Sequence, residues 1–242
     1  MNTETRSGLF FLGLFVAAGL ALAGYFVGQT LYNAKVAINT AEAKGLAERR
    51  VIADHVDWSI AFKVAGKKRS DLPNLYQQAE NQQQIIIALL KENGFDDTEI
   101  DVGVLAYNAY EYRDEDQALV DESHDLNGTI NISTNKVEQI KQARTNVNKL
   151  LAEGIDIQNY SPSYRFTGLN KIKPDMLREA TTNARLAANE FASNAGVKVG
   201  GIRSARQGSF YVRDAGEEYG DSNKIEKDVR VVTTITFYLT EK

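Results

Sequence analysis

The chain has 242 residues, of which 43% are hydrophobic and 25% charged, and its formal net charge is -4. That balance argues against a nucleic-acid binder, which needs a basic patch or stripe to neutralise phosphates. With no cysteine and only two histidines, His55 and His124, the chain also excludes disulfides, thiolate nucleophiles, zinc–thiolate sites, iron–sulfur clusters and multi-histidine metal sites.

The first predicted element is LFFLGLFVAAGLALAGYFVG, residues 9–28, opened by Leu9 and closed by Gly28 and free of charge. Twenty helical residues rise about 30 Å, the thickness of a bilayer's hydrocarbon core. A helix also satisfies its own backbone polar groups, as lipid requires. Residues 1–28 therefore read as an N-terminal transmembrane anchor. A second reading stands beside it: Ala21–Leu22–Ala23 matches a small-x-small cleavage site, which makes the run a signal removed near Ala23. Arg6 on one side and Lys35 and Lys44 on the other leave orientation undecided by charge. Gly24 and Gly28 form a GxxxG pair, a helix-pairing pattern that also arises incidentally in glycine- and alanine-rich spans.

Residues 29–44 mix alanine with charge and read as a partly helical stalk leading into a strand. From Arg50 the apolar residues Val51, Ala53, Val56, Trp58, Ile60, Phe62 and Val64 fall mostly two apart, the period of a half-buried strand. The slip between 53 and 56 suggests a bulge. Leu75, Ala79, Gln82, Ile86, Leu89 and Leu90 follow helical spacing up to Asn93-Gly94, where glycine can take the left-handed helix-ending conformation. EIDVGVLAYNAYEY reads as a strand, the polar insert RDEDQALVDESHDLNG as a connection, and TINIST as another strand. A second helix ends near Gly154 and a third, LREATTNARLAANEFASNAG, at Gly196; each is followed by a strand, and KDVRVVTTITFYLT closes the chain. Helices and strands do not alternate one for one. The expected class is therefore α+β, mixed or antiparallel sheets packed with about three helices behind one transmembrane helix.

In the third helix, alanines 180, 184, 187, 188, 192 and 195 lie on one helical face, with Leu177 and Phe191 in an adjoining stripe. Small side chains there let a helix approach a sheet closely. A ligand cavity would need convergent polar groups, whereas Thr181, Asn183, Arg185 and Asn189 fall elsewhere on the wheel.

The run A-x-x-x-A-R-x-x-A-x-x-x-A-x-x-x-G, here Ala180, Ala184, Arg185, Ala188, Ala192 and Gly196, resembles the C-terminal helix of the SIMPL-domain family, domain of unknown function 541. GLAERRVIADHVDWSIAF, with its Ala53-Asp54 step, is similar to that family's opening strand, NGFDDTEI to its helix-to-strand turn, and VVTTITFYL to its closing strand. The resemblance covers residues 45 to 239 and outlines one SIMPL-like α+β domain over 45–242. It implies an exported bacterial envelope protein, single-pass in the inner membrane with its C-terminal domain in the periplasm, or periplasmic after cleavage near Ala23. It implies ring-like homo-oligomers and, for some members, envelope or oxidative stress defence. It carries no catalytic residue and no cofactor, so none is assigned, and the expectation is a non-enzymatic protein that works by self-assembly or partner binding.

Three stretches hold candidate chemistry. The insert over 111–125 carries Glu111, Asp114, Glu115, Asp116, Asp121, Glu122 and Asp125 against Arg113. Asp121, Ser123, Asp125 and Asn127 alternate as calcium-loop ligands do. However, Leu126 stands where such a loop needs glycine, and Gly128 comes too late. A solvated loop and a ligand- or calcium-binding module are the two readings. His124 within the insert and His55 in a strand pattern have no serine in a nucleophile elbow nearby. Gly200, Gly201 and Gly208 lack the Gly-Lys-Ser/Thr of a phosphate loop and read as strand bends. Finally, Arg203, Arg206 and Arg213 lie near Phe210 and Tyr211, as either a contact for an anionic partner or a charge-protected edge hairpin.

Overall fold

The computed structural model describes residues 3–35 and 39–241. Helix α1 (Thr3–Lys35) contains the apolar span. Over Gly8–Tyr32 its mean hydropathy is 2.2 and none of it is buried, so it is long and apolar enough to cross a membrane. Strands β1 (Thr40–Ile52) and β2 (His55–Gly66) follow, then α2 (Leu72–Glu92), β3 (Ile100–Val102), β4 (Ala106–Arg113) and β5 (Leu119–Thr134). Next come α3 (Ile140–Lys149), β6 (Asp156–Asn159), β7 (Ser163–Arg165), α4 (Leu169–Asn194), β8 (Val197–Gln207), β9 (Tyr211–Asp214) and β10 (Glu226–Glu241). The chain is α+β, with every described strand pairing antiparallel.

Two compact units form. One comprises Met1–Ala47, Asp175–Ser209 and Val231–Lys242, the other Glu48–Pro174 and Phe210–Arg230. The domain expected over 45–242 contributes to both.

The second unit is built on a six-stranded sheet in which β5 and β2 are central. Its inward face carries Val56, Trp58, Ile60, Phe62 and Val64 from β2 and Leu126, Ile130 and Ile132 from β5, which pack with Leu75, Ala79, Ile86 and Leu90 of α2 and Ile140, Ala143 and Val147 of α3. Each fully buried large aliphatic or aromatic side chain contributes about 1.5–3 kcal/mol. The Trp58 indole N–H donates to Asn159 Oδ1 at 2.9 Å, and Asn159 Nδ2 donates to the Arg144 carbonyl at 3.1 Å, tying β2, β6 and α3 together. Helix α2 ends as its Asn-Gly pair predicts. Gly94 adopts φ +91, the Gly94 N–H bonds the Lys91 carbonyl, and the Phe95 N–H bonds the Leu90 carbonyl. The same pattern recurs after α3, with Gly154 at φ +88 and the Ile155 N–H on the Leu150 carbonyl.

In the first unit α4 packs on one face of the sheet ordered β1-β10-β8. Met176, Ala180, Ala184, Ala188 and Ala192 are the buried residues of α4, strictly four apart. Opposite them, Ala43, Gly45 and Ala47 alternate as the buried side of β1. Gly45 is obligatory here: a Cβ would overlap the Ala180 carbonyl oxygen and lie 2.5 Å from the Ala184 amide nitrogen. The alanines therefore permit near-contact of helix and strand backbones. Asn183 Nδ2 donates to the Leu46 carbonyl at 2.8 Å, and the Arg185 guanidinium lies 5.0 Å from the Phe237 ring centre.

Several expectations need correction. The slip between 53 and 56 is no bulge: the chain leaves β1 of one sheet at Ile52 and enters β2 of the other at His55. The turn is fixed by Asp54, whose Oδ1 accepts the Thr167 N–H at 2.6 Å. Within 29–44, helix continues to Lys35 and strand begins at Thr40; residues 36–38 of the expected stalk lie outside the described residues. The strand is hard to see in sequence because its buried face is made of alanine and glycine. Phe191 and Ala195 are exposed and do not join the alanine seam, whereas Ala187 is partly buried against it. Residues 202–213 form no hairpin: β8 and β9 each pair with β10 and not with each other. Gly200 and Gly201 do sit at irregular register in β8, where Phe237 pairs Ile202 and Leu239 pairs Val199.

Candidate functional site

The acidic insert is not a loop. Residues 119–128 are strand, and β4 and β5 form a long hairpin whose register runs from Ala106↔Asn127 to Arg113↔Leu119. The turn is tight. Asp114 Oδ1 accepts the N–H groups of Asp116 and Ala118 at 3.0 and 2.8 Å, and Gln117 takes φ 63. All eight residues of β4 are exposed, Tyr107, Tyr110 and Tyr112 among them, as are Leu119 and Val120 near the tip. Among the described residues β4 pairs only with β5, so its outer backbone edge is open. A long exposed aromatic edge is a template for another strand.

Asp121, Ser123, Asp125 and Asn127 fall on one face of β5, spaced along an extended strand and not folded around a point. Two of these groups already have cations. Lys67 Nζ lies 2.5 Å from Asp121 Oδ2 and Lys63 Nζ 2.6 Å from Asp125 Oδ2, while the Ser123 hydroxyl donates to Asp125 Oδ1 at 2.7 Å. The Lys67 contact holds the Asp121 carboxyl below its usual range. Burial pushes Asp125 up, but hydrogen bonds from Lys63 and Ser123 outweigh it and the net direction is down. Asn127 lines a separate cavity of about 150 Å³ with Lys63, Asp156 and Gln158. Among the described residues no group of three acidic or histidine side chains is placed to hold a metal. The geometry thus disperses the calcium candidates that the spacing suggested.

The opposite face of the hairpin buries His124. Tyr107 Oη lies 2.7 Å from His124 Nδ1 with the two rings stacked, and His124 Nε2, 3.4 Å from Glu122 Oε2, has no hydrogen-bond partner. His55 sits in a polar cluster between β2 and β5. Its Nε2 is 3.1 Å from Ser133 Oγ and 3.3 Å from Asp57 Oδ1, and its Nδ1 is 2.8 Å from Asn135 Oδ1. Serine, histidine and aspartate meet here, but not as a relay. The Ser133 hydroxyl donates to Asp57 Oδ1 at 2.9 Å, and Asp57 is on the same imidazole nitrogen as the serine. Burial acts to raise the Asp57 pKa, but Ser133, Arg165 and His55 together hold it below the usual range.

The alanine candidates and Gly196 are structural as placed: Ala180, Ala184, Ala188 and Ala192 are the helix seam, and Gly196 turns the chain at φ +74 into β8. Strand β8 is a second open edge, pairing only with β10 among the described residues. It carries Lys198, Arg203 and Arg206 and no acidic residue, and no described salt bridge engages these cations. Arg213 is not part of this patch; it lies on β9, its guanidinium 5.4 Å from the Tyr211 ring centre. Beside β8, a groove of about 400 Å³ is lined by Asn189, Ala192 and Ser193 of α4 and Val197, Lys198 and Val199.

One feature is missed by sequence reasoning. Lys227 is fully buried, its ammonium bonded to Asp214 and, at 2.7 Å, to the Asp221 carbonyl. Asp214 also accepts the N–H groups of Asn223 and Lys224 at 2.9 and 3.1 Å. Burial pushes the Asp214 carboxyl up, but Lys227 and these two amides prevail and its pKa is lowered. A signal does exist in hindsight: 227, 229, 231, 233, 235 and 237 are the buried positions of β10, so Lys227 continues an apolar alternation backwards. The pair pins the segment between β9 and β10.

No curated protein matches the chain. The family of SIMPL proteins of unknown function, DUF541, matches it over residues 42–237, from within β1 to near the end of β10. That range takes in both sheets, the helices α2, α3 and α4, the hairpin and the open basic edge, and on it the chain belongs to the SIMPL family.

Proposed function

We propose that the protein is a non-enzymatic component of the bacterial envelope that self-associates. Its apolar helix anchors it in the inner membrane and its SIMPL domain lies on the periplasmic side. The observation that carries this reading is the presence of two open sheet edges, the tyrosine-lined β4, which runs into an acidic turn at 114–116, and the basic β8. Exposed strand edges are usually blunted or covered, and long uncovered ones fit assembly. The reversed hydrogen bonding of Ser133, His55 and Asp57 supports the absence of hydrolytic catalysis. The apolar helix supports the anchor, and cleavage near Ala23 would leave the same domain free in the periplasm. A setting in envelope or oxidative stress defence follows from the family resemblance alone.

The test is co-capture. Two full-length copies carrying different tags are co-expressed, extracted in mild detergent and purified on one tag. The second copy should co-purify in comparable amount. Its absence at every detergent and salt condition would overturn self-association.

A further inference from the structure

Self-association leaves open which surfaces meet. We propose that the β4–β5 hairpin of one copy docks on the open edge of β8 in a second copy and adds β4 to that copy's β1-β10-β8 sheet. The inference rests on the self-association reading and names its interface.

Three observations converge. First, both partners in the proposed pairing have unpaired backbone. Among the described residues β4 bonds only β5 and β8 bonds only β10, so each offers a free row of N–H and C=O groups. Adding an extended segment to such an edge is a recurring mode of recognition, with main-chain hydrogen bonds giving affinity and side-chain pockets giving specificity. Second, the charges are complementary. The hairpin tip carries Glu111, Asp114, Glu115, Asp116, Asp121 and Glu122 with Arg113 as its one cation, whereas β8 carries Lys198, Arg203 and Arg206 with no acidic residue. Pairing β8 with β8 would set Lys198, Arg203 and Arg206 of one copy beside those of the other, which disfavours a symmetric interface at that edge. Third, the apolar content has somewhere to go. A strand added at β8 turns every second side chain toward α4 and the groove of about 400 Å³ beside it. Strand β4 has tyrosine on both of its faces, Tyr107 on one and Tyr110 and Tyr112 on the other, so either orientation presents an aromatic ring. Ile202, 48% exposed on β8, adds an apolar contact along the edge. Because the two surfaces differ, the contact is head-to-tail and propagates until a ring closes or a filament forms.

The absence of cysteine makes the test clean, since any introduced thiol is unique. Full-length Ala109→Cys and Ala205→Cys chains, both exposed positions, are given different tags, co-expressed, and treated in membranes with a short bismaleimide. Variants are used only if their melting curves match the wild type. The expected product is a mixed 109–205 dimer exceeding the 109–109 and 205–205 dimers, and chains with both cysteines should give a ladder. Reversing charge on one side, Arg203→Glu with Arg206→Glu or Glu115→Lys with Asp116→Lys, should lower the mixed yield about tenfold. Combining a copy reversed at the edge with a copy reversed at the tip should restore it. If tags co-purify but 109–205 cross-links are absent or outnumbered by symmetric ones, this interface is wrong and self-association stands. If the tags do not co-purify, both fall. Mixed cross-links insensitive to charge reversal would also overturn the complementarity on which the proposal depends.

Discussion

Substituting Gly45 by alanine adds one methyl group where helix α4 and strand β1 nearly touch. The new carbon would overlap the Ala180 carbonyl oxygen and stand 2.5 Å from the Ala184 nitrogen and 2.9 Å from the Ala180 carbonyl carbon. Carbon pairs settle at about 3.5–4.0 Å, so relief requires a shift of roughly 1 Å. All three obstructing atoms are backbone, and no side-chain rotation can clear them. The helix must retreat, which loosens Ala180, Ala184 and Ala188, each now 0% exposed, from the sheet. Overpacking typically costs about 1–3 kcal/mol, and a clash with rigid backbone belongs at the upper end. The lost freedom of the unfolded chain returns about 0.4–1 kcal/mol. The expected net destabilisation is about 2–2.6 kcal/mol, a fall in Tm of roughly 4–10 °C for a chain of this size. The assay is thermal unfolding of the full chain in detergent, followed by far-UV circular dichroism, in which α1 supplies a constant background. Gly201→Ala is the control, because a methyl there meets nothing within 4 Å, and its Tm should hold or rise slightly. A Gly45→Ala protein that melts with the wild type would refute the close-approach account of the alanine seam.

Other perturbations separate the remaining parts of the account. Lys227→Met leaves the Asp214 carboxylate buried without its cation and should cost about 3–5 kcal/mol by thermal or urea unfolding. Asp214, whose folded pKa is lowered, contributes stability that is present above its unfolded pKa and lost as pH falls through the folded value. Wild-type stability should therefore drop below about pH 4, and that drop should be smaller in Lys227→Met when both are titrated by urea unfolding. Calcium at millimolar concentration should leave Tm within about 1 °C of its starting value, since Asp121 and Asp125 are already engaged by Lys67 and Lys63; a clear rise would revive the calcium reading. Arginine at both Leu14 and Leu20 adds about 5–7 kcal/mol to membrane insertion, and the full chain should move from the membrane fraction to soluble or degraded material.

Much of the fold is legible in the sequence because its cores obey simple periods. The β2 alternation through Trp58, Ile60 and Phe62 and the helix endings at Gly94, Gly154 and Gly196 each leave a local signature. What escapes does so for identifiable reasons. Ala43, Gly45 and Ala47 form a buried strand face with almost no hydrophobicity, so β1 hides within apparently polar sequence. The acidic tip conceals a hairpin because the first part of β5, which reads as a connection, has no apolar alternation: Leu119, Val120 and Asp121 are all exposed. Lys227 escapes because an ionised side chain is buried only when the fold supplies its partners, and the turn that brings Asp214 and the Asp221 carbonyl onto it has no periodic signature. The open edges are invisible for the same reason: whether a strand has a neighbour is decided by topology, not by its own residues.

Light scattering behind a sizing column, on the chain in a mild detergent of known contribution, decides whether the protein self-associates. A self-associating chain gives a mass of two or more times the 26.8 kDa of one chain, discrete for a closed ring and broadly distributed for a filament, which shifts toward smaller species on reversal of Arg203 and Arg206 to glutamate. A single 26.8 kDa protein mass at all concentrations would contradict self-association.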